Sequence, residues 1–324
     1  MNVRNVLILS FIAVAVATIS IVMYRFPATK CEDSNSECRY DLNALKKTDP
    51  KLLIQAGIHF VKPAISNLTA LAVDSDDKIY VGGNTGIEIL DTNGVRIAGF
   101  AVGGSVHCLA VTPTGDILAG LKDHVEVYTK NGTKRAVWKS PDPKTGLTSI
   151  AVSSNFVFIA DYVNRIVWRY TLSGELLGRI GEKDTDKRKT GFVVPSAFFD
   201  IAVAHDGSLW VASPGQHRLE HFSPDGRFLS CWGKFGMDGE GFCGCCNPSN
   251  FAIMPDGSFV TSEKHIVRVK IYDSEGMFTG IISGQEDWKK EAVGLDLAVD
   301  FKGRILVLDP QADVVRIYTK KMQM

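Results

Sequence analysis

One pattern constrains the fold of this chain more than any other. A short apolar run recurs six times, as LAV at Leu71, LAV at Leu109, IAV at Ile150, IAV at Ile201, FAI at Phe251 and LAV at Leu297, each followed by a turn and a second apolar run. A later turn recurs with it, at Asn93-Gly94, Asn131-Gly132, Ser173-Gly174, Asp225-Gly226 and Glu275-Gly276. The spacing of roughly 40–50 residues is that of propeller blades. The best-preserved copy runs from Phe199 to Gly233 and holds four apolar runs, Ile201 to Val203, Leu209 to Ala212, Leu219 to Phe222 and Phe228 to Trp232. Glycine turns at Asp206-Gly207 and Asp225-Gly226 make this an antiparallel meander, because glycine reaches the positive backbone angles that tight hairpins need. Such a sheet has two apolar faces and no helix to cover them, so it is stable only between similar sheets.

The sixth copy, Leu295 to Tyr318, has three strands before the chain ends. Its fourth must come from elsewhere. Leu53 to Val61 precedes the first copy and belongs to no other, so the two ends should share the last blade and remove an exposed sheet edge. The expectation is an all-β, six-bladed β-propeller over residues 51–324, monomeric as a domain.

Blade three reads IADYVNRIVWRYTLSGELLGRIG from Ile159 to Gly181. It resembles the NHL repeat, with Asp161, Asn164, Arg165, Tyr170 and Gly174 matching that pattern and no histidine before Arg165. Blade four keeps His217-Arg218, blades five and six keep Arg268 and Arg316, and blades one and two are degenerate. The resemblance implies a propeller scaffold whose relatives serve as protein-binding, RNA-binding or enzymatic domains, so it leaves function open. The repeated arginines read either as a phosphate-binding element or as contacts that hold the blades. With 36 basic and 36 acidic side chains the chain lacks the charge excess and basic stripe of a nucleic-acid binder, and no nucleic-acid partner is expected.

Upstream of the repeats, after a short segment 1–5, residues 6–24 are uncharged and would span roughly 29 Å as a helix, a bilayer core. They read as a signal-anchor, with a cleaved secretory signal as the alternative. The first reading makes this a single-pass membrane protein with an extracytoplasmic propeller. Residues 25–50 form a polar linker in which Cys31 and Cys38 could pair or stay free, and Leu42 to Leu53 could hold a helical turn.

Chemistry is expected where long connections gather on one face of the scaffold. These are Lys139 to Leu147, Glu182 to Phe199, Gly233 to Asn250 and Gly284 to Leu295. The third carries Cys243, Cys245 and Cys246, with Cys231 just before it, in GKFGMDGEGFCGCCNPSN. Thiolates are soft ligands, so zinc or copper binding is one reading; a Cys231 to Cys243 disulfide and plain packing are the others. The residues one before each inner run, Ala70, Cys108, Ser149, Asp200, Asn250 and Asp296, should ring one end of the channel beside His107. Asp200, Asn250 and Asp296 offer oxygen ligands for calcium, in the manner of lactonase-type propellers, or simply line a wet channel. Amidating lyases of similar fold use three histidines, of which His107 alone has a counterpart here. Two functions follow: a non-catalytic module that binds a protein or small ligand on the loop-rich face, or a metal-dependent propeller enzyme.

Overall fold

The computed structural model describes residues 46–182, 191–289 and 292–320. The apolar stretch 6–24 and the linker cysteines Cys31 and Cys38 lie outside them. Among the described residues, no helix is long and apolar enough to cross a membrane.

The described residues form 24 strands in six four-stranded sheets. After β1 (Ala56–Val61), blade one is β2 (Ala70–Val73), β3 (Ile79–Gly82), β4 (Gly86–Leu90) and β5 (Arg96–Ala101). Blade two is β6 (Cys108–Val111), β7 (Ile117–Gly120), β8 (His124–Tyr128) and β9 (Lys134–Lys139). Blade three is β10 (Leu147–Val152), β11 (Phe156–Asp161), β12 (Ile166–Thr171) and β13 (Leu176–Ile180). Blade four is β14 (Ile201–Val203), β15 (Leu209–Ser213), β16 (Arg218–Phe222) and β17 (Phe228–Trp232). Blade five is β18 (Asn250–Ile253), β19 (Phe259–Glu263), β20 (Arg268–Tyr272) and β21 (Phe278–Ser283). Blade six is β22 (Leu297–Val299), β23 (Ile305–Asp309) and β24 (Val314–Lys320), completed by β1 in the order β1-β24-β23-β22.

The ring therefore closes as the sequence implies, with Phe60 opposite Arg316 and Val61 opposite Val315. The closing strand begins three residues later than the apolar run that announces it. Pro50–Leu52 forms a single 3-10 turn capped by the Asp49 side chain, and Ile54 donates its N–H to Ile281 of blade five before β1 starts.

The core lies between blades. One apolar cluster joins Leu71 and Val81 of blade one to Leu306 and Val315 of blade six; another joins Trp210 and Leu219 of blade four to Phe251 and Tyr272 of blade five. The recurring glycine turn serves this stacking. Gly174 has φ +88°, and a Cβ there would lie 2.3 Å from Nε1 of Trp138, which blade two lays against the turn. Val61 covers Gly94 in the same way, so β1 performs the outer-strand role of blade six.

The residues that match the NHL pattern are mostly internal fastenings. Asp161 is fully buried and accepts from the Thr145 hydroxyl, the N–H groups of Gly146, Val163 and Asn164, the Asn164 amide and the Trp168 indole. Arg316 donates to Asp309 at 2.6 Å and to the Asp287 carbonyl at 2.8 Å, and its guanidinium lies 3.9 Å from the Trp288 ring centre. Arg218 donates to Glu220, and Arg268 lies 3.9 Å from Glu263. These arginines meet carboxylates of their own blades.

Candidate functional site

The connections from each outer strand to the next inner strand meet at one mouth of the channel, around a cup of about 240 Å³. Each blade contributes a lining residue: Thr69, His107, Thr148, Phe198, Asn250 and Asp296. Below it, the channel proper, about 260 Å³, is lined by the inner strands and reached by Cys108, Ser149, Asp200 and Asp296. The structure thus brings five of the six expected ring residues to the channel: Asn250 at the mouth with His107; Cys108, Ser149 and Asp200 beneath; and Asp296 lining both, while Ala70 is buried against Gly82 and lines neither.

The two carboxylates of the ring already hold neighbouring blades together. Asp200 accepts the Ile201 N–H at 2.9 Å, the Phe251 N–H of blade five at 2.7 Å and the Ser149 hydroxyl of blade three at 2.6 Å. Asp296 accepts its neighbour Leu297 N–H at 2.9 Å and the Leu71 N–H of blade one at 2.7 Å. Burial raises the Asp200 carboxyl to about 6 despite these hydrogen bonds. Burial together with the Asp200 charge raises Asp296 to about 8. Burial, Asp296 and Asp200 likewise push the Cys108 thiol up, and it stays a neutral thiol seated on Gly120. Among the described residues, no three histidine, cysteine, aspartate or glutamate side chains converge on a position fit for a metal ion. Sequence position alone hid this joining role, because the donor is an N–H in the next blade about 50 residues away (Asp200 to Phe251).

Two groups of the cup are left for an incoming molecule. Asn250 Oδ1 is buried with no hydrogen-bond partner. His107, which lines the cup from blade two, has its ring pKa lowered by partial burial and by the Lys122 charge, so the ring is neutral at pH 7.

The cysteine loop is fastened to β19 and β20 of blade five. Lys270, fully buried on β20, donates to the carbonyls of Gly239 at 3.2 Å and Gly241 at 2.8 Å and pairs with Glu263 at 3.2 Å. Glu263 in turn accepts the Cys243 N–H at 3.0 Å. Asn247 fixes the far side, donating to the carbonyls of Cys243 and Lys264 and accepting the Lys264 N–H. Between these clamps Gly244, at φ +71°, turns the chain and leaves Cys245 exposed and Cys246 5% exposed, with their sulfurs 2.9 Å apart.

The five described cysteines are free thiols. The expected Cys231 to Cys243 staple is not formed: Cys231 lies exposed on β17 opposite Glu220, whereas Cys243 is buried beside Glu263. Burial and the Glu263 charge raise the Cys243 thiol to about 11. Three cysteines close in sequence therefore divide into one inert thiol and one adjacent pair.

Sequence reasoning missed Lys264 and Ser196. The Lys264 ammonium is buried, donates to the Ser196 hydroxyl at 2.7 Å and sits 4.6 Å over the ring of Phe198, which lines the cup. Burial opposes ionisation of Cys246, but hydrogen bonds from Cys245 and Ser196 and the Lys264 charge outweigh it and bring that thiol below its usual range. Nothing in the sequence marks Lys264 off from a surface lysine at a strand end.

Comparison with known proteins bears on the scaffold. No protein-family model matches the chain, and no curated protein matches it in sequence. Solved structures do match: a streptogramin B lyase at 13% identity and TM-score 0.57, aligned over 82% of this chain and 98% of that one. The fold is that of a β-propeller. The virginiamycin B lyase of Staphylococcus aureus matches at 12% identity and TM-score 0.55, over 82% of this chain and 99% of that one. The WD40 propeller of Doa1 matches at 15% identity and TM-score 0.53, over 79% of each chain. Identities this low speak to fold alone.

Proposed function

We propose that this chain is a membrane-tethered propeller of the NHL type that binds a small polar ligand, or the end of a peptide, in the cup at its channel mouth without transforming it. One observation carries the reading: Asn250, whose Oδ1 is buried without a hydrogen-bond partner, lines a cup to which all six blades contribute. A buried acceptor left unsatisfied costs about 1–3 kcal/mol, so a ligand that brings an N–H or O–H donor gains that much by meeting it. The cup is smaller than the roughly 300–1,000 Å³ of drug-sized pockets, which suits a small ligand. Asp200 and Asp296 support a non-catalytic role because their oxygens are engaged by backbone N–H groups across blade junctions. The NHL reading is supported by the internal bonds of Asp161, and the tether by the uncharged stretch 6–24, with the propeller on the extracytoplasmic side.

His107 favours a second reading. It is the one histidine among the described residues that line the cup, it is neutral, and two of the similar structures are lyases, one of them also solved as an inactive variant with quinupristin. The full chain, solubilised in detergent, should be screened for thermal stabilisation by small amides, amines and hydroxy acids. A compound that raises the melting temperature of the native chain, and fails to do so for Asn250→Leu, supports the binding reading. Consumption of quinupristin that disappears in His107→Ala would favour the lyase reading. Stoichiometric calcium, zinc or copper lost on Asp296→Ala would overturn the binding reading in favour of the metal-dependent enzyme.

A further inference from the structure

We infer that Cys245 and Cys246 form a thiol–disulfide exchange site for small disulfides, with Cys246 as the attacking sulfur and Cys245 as the resolving one. The site lies on the cysteine loop, outside the cup, and its chemistry does not require the cup to bind anything.

Four features of the structure combine. The two sulfurs are 2.9 Å apart, close enough that one can displace a group from the other with little movement. Their exposures differ: Cys246 is 5% exposed and Cys245 is at the surface, so a disulfide approaching from solvent meets an accessible pair with one protected sulfur. The buried Lys264 ammonium, held by Ser196 at 2.7 Å and by the Phe198 ring, supplies positive charge to Cys246 from a fixed place. The loop itself is braced by Asn247 and by the Lys270 bonds to Gly239 and Gly241, so the pair does not depend on a chance conformation. Thiolates attack disulfides, and a cation beside a thiol increases its thiolate fraction. The lowered pKa of Cys246 and the raised pKa of Cys245 agree with this division of labour.

The exchange balances. The Cys246 thiolate attacks one sulfur of R–S–S–R; that S–S bond breaks, a Cys246–S–R bond forms, and R–S⁻ leaves to take up the proton Cys246 had given to solvent. Cys245 then loses its proton and attacks the Cys246 sulfur, forming a Cys245–Cys246 disulfide and releasing the second R–S⁻, which takes that proton. The chain is oxidised by two electrons, and one disulfide becomes two thiols. A bond between adjacent cysteines closes a tight ring, and strained disulfides are the readily reduced ones, so the same pair returns two electrons to a dithiol. Cys243, buried and set against Glu263, takes no part.

Oxidised glutathione is the probe. The reduced full chain is mixed with it and mapped by peptide mass spectrometry, with near-ultraviolet circular dichroism to establish that each variant is folded. Native protein should lose both thiols to a Cys245–Cys246 disulfide with no glutathione retained there. Cys245→Ser should accumulate glutathione on Cys246. Cys246→Ser should form an adduct on Cys245 more slowly, because the Ser196 and Lys264 hydrogen bonds that favour a thiolate go to Cys246. Lys264→Gln should move the pH profile of the Cys246 reaction to higher pH, and Lys264→Arg should restore it. The inference is overturned if Cys245→Ser reacts no faster than Cys246→Ser, or if native protein keeps glutathione or two free thiols at these positions.

Discussion

The carboxylate of Asp296, on the last blade, accepts the backbone N–H of Leu71, on the first, at 2.7 Å. This bond fastens the ring at its inner edge where β1 fastens it at its outer edge. Asp200 does the same between blades four and five through the Phe251 N–H.

The raised carboxyl of Asp296 makes stability depend on pH. Its folded-state value of about 8 exceeds the ordinary 3.8, so between those values the folded chain binds more protons than the unfolded one. Stability from this group is full below about pH 4 and is lost as pH rises through about 8; Asp200, raised to about 6, adds to the loss over the lower part of that window. The slope per group is on the order of 1 kcal/mol per pH unit. Chemical unfolding at pH 5 and pH 7.5 should show the native chain weaker at the higher pH. The difference should shrink in Asp296→Asn, which cannot titrate.

Lys270 and Glu263 are both fully buried and 3.2 Å apart, and together they anchor the cysteine loop. Removing one partner of such a pair strands the other charge. Lys270→Ala should cost about 3–5 kcal/mol in urea unfolding, and Lys270→Ala combined with Glu263→Ala should cost less than the sum of the two single changes. Additive losses would show that the two side chains do not interact.

Gly276 tests the stacking of blades four and five. At φ +81° a side chain is strained, and a Cβ would come within 2.4 Å of the Trp232 ring. Gly276→Ala should lower stability by about 1–3 kcal/mol. Gly115, at φ +86° with nothing within 4 Å of a Cβ, pays only the backbone strain, so Gly115→Ala should cost less. Equal losses in thermal unfolding would refute the packing role of the Trp232 contact.

The blades were legible because their signals are local: recurring apolar runs and turn glycines such as Gly94 and Gly226. The donor strand was legible too, since Leu53 to Val61 had no other blade to join. What escaped was every role fixed by a partner distant in sequence. Asp200 reads as a channel ligand until Phe251 is seen to donate to it, and Cys246 reads like Cys243 until Lys264 and Ser196 are seen beside one and Glu263 beside the other. Loop contacts of this kind follow no period, so the loop that holds the candidate chemistry was the least readable part of the chain.

His107 offers a direct test of the electrostatics of the cup. Partial burial is the larger cause of its lowered pKa and the Lys122 charge the smaller. Both disfavour the imidazolium. Titration of the ring by proton NMR should give a value below the ordinary 6.5, and Lys122→Gln should raise it part of the way back, because the burial remains. A neutral ring at pH 7 keeps one nitrogen as an acceptor in the cup that Asn250 also lines, so the cup then offers two acceptors to a ligand rich in donors. Acidification through the His107 value turns that ring into a cation and removes its acceptor. Affinity of any ligand found through Asn250 should therefore fall in that pH range, by isothermal calorimetry, when the ligand uses the ring as an acceptor. His107→Gln, which keeps an acceptor without titrating, should abolish the acid-side loss.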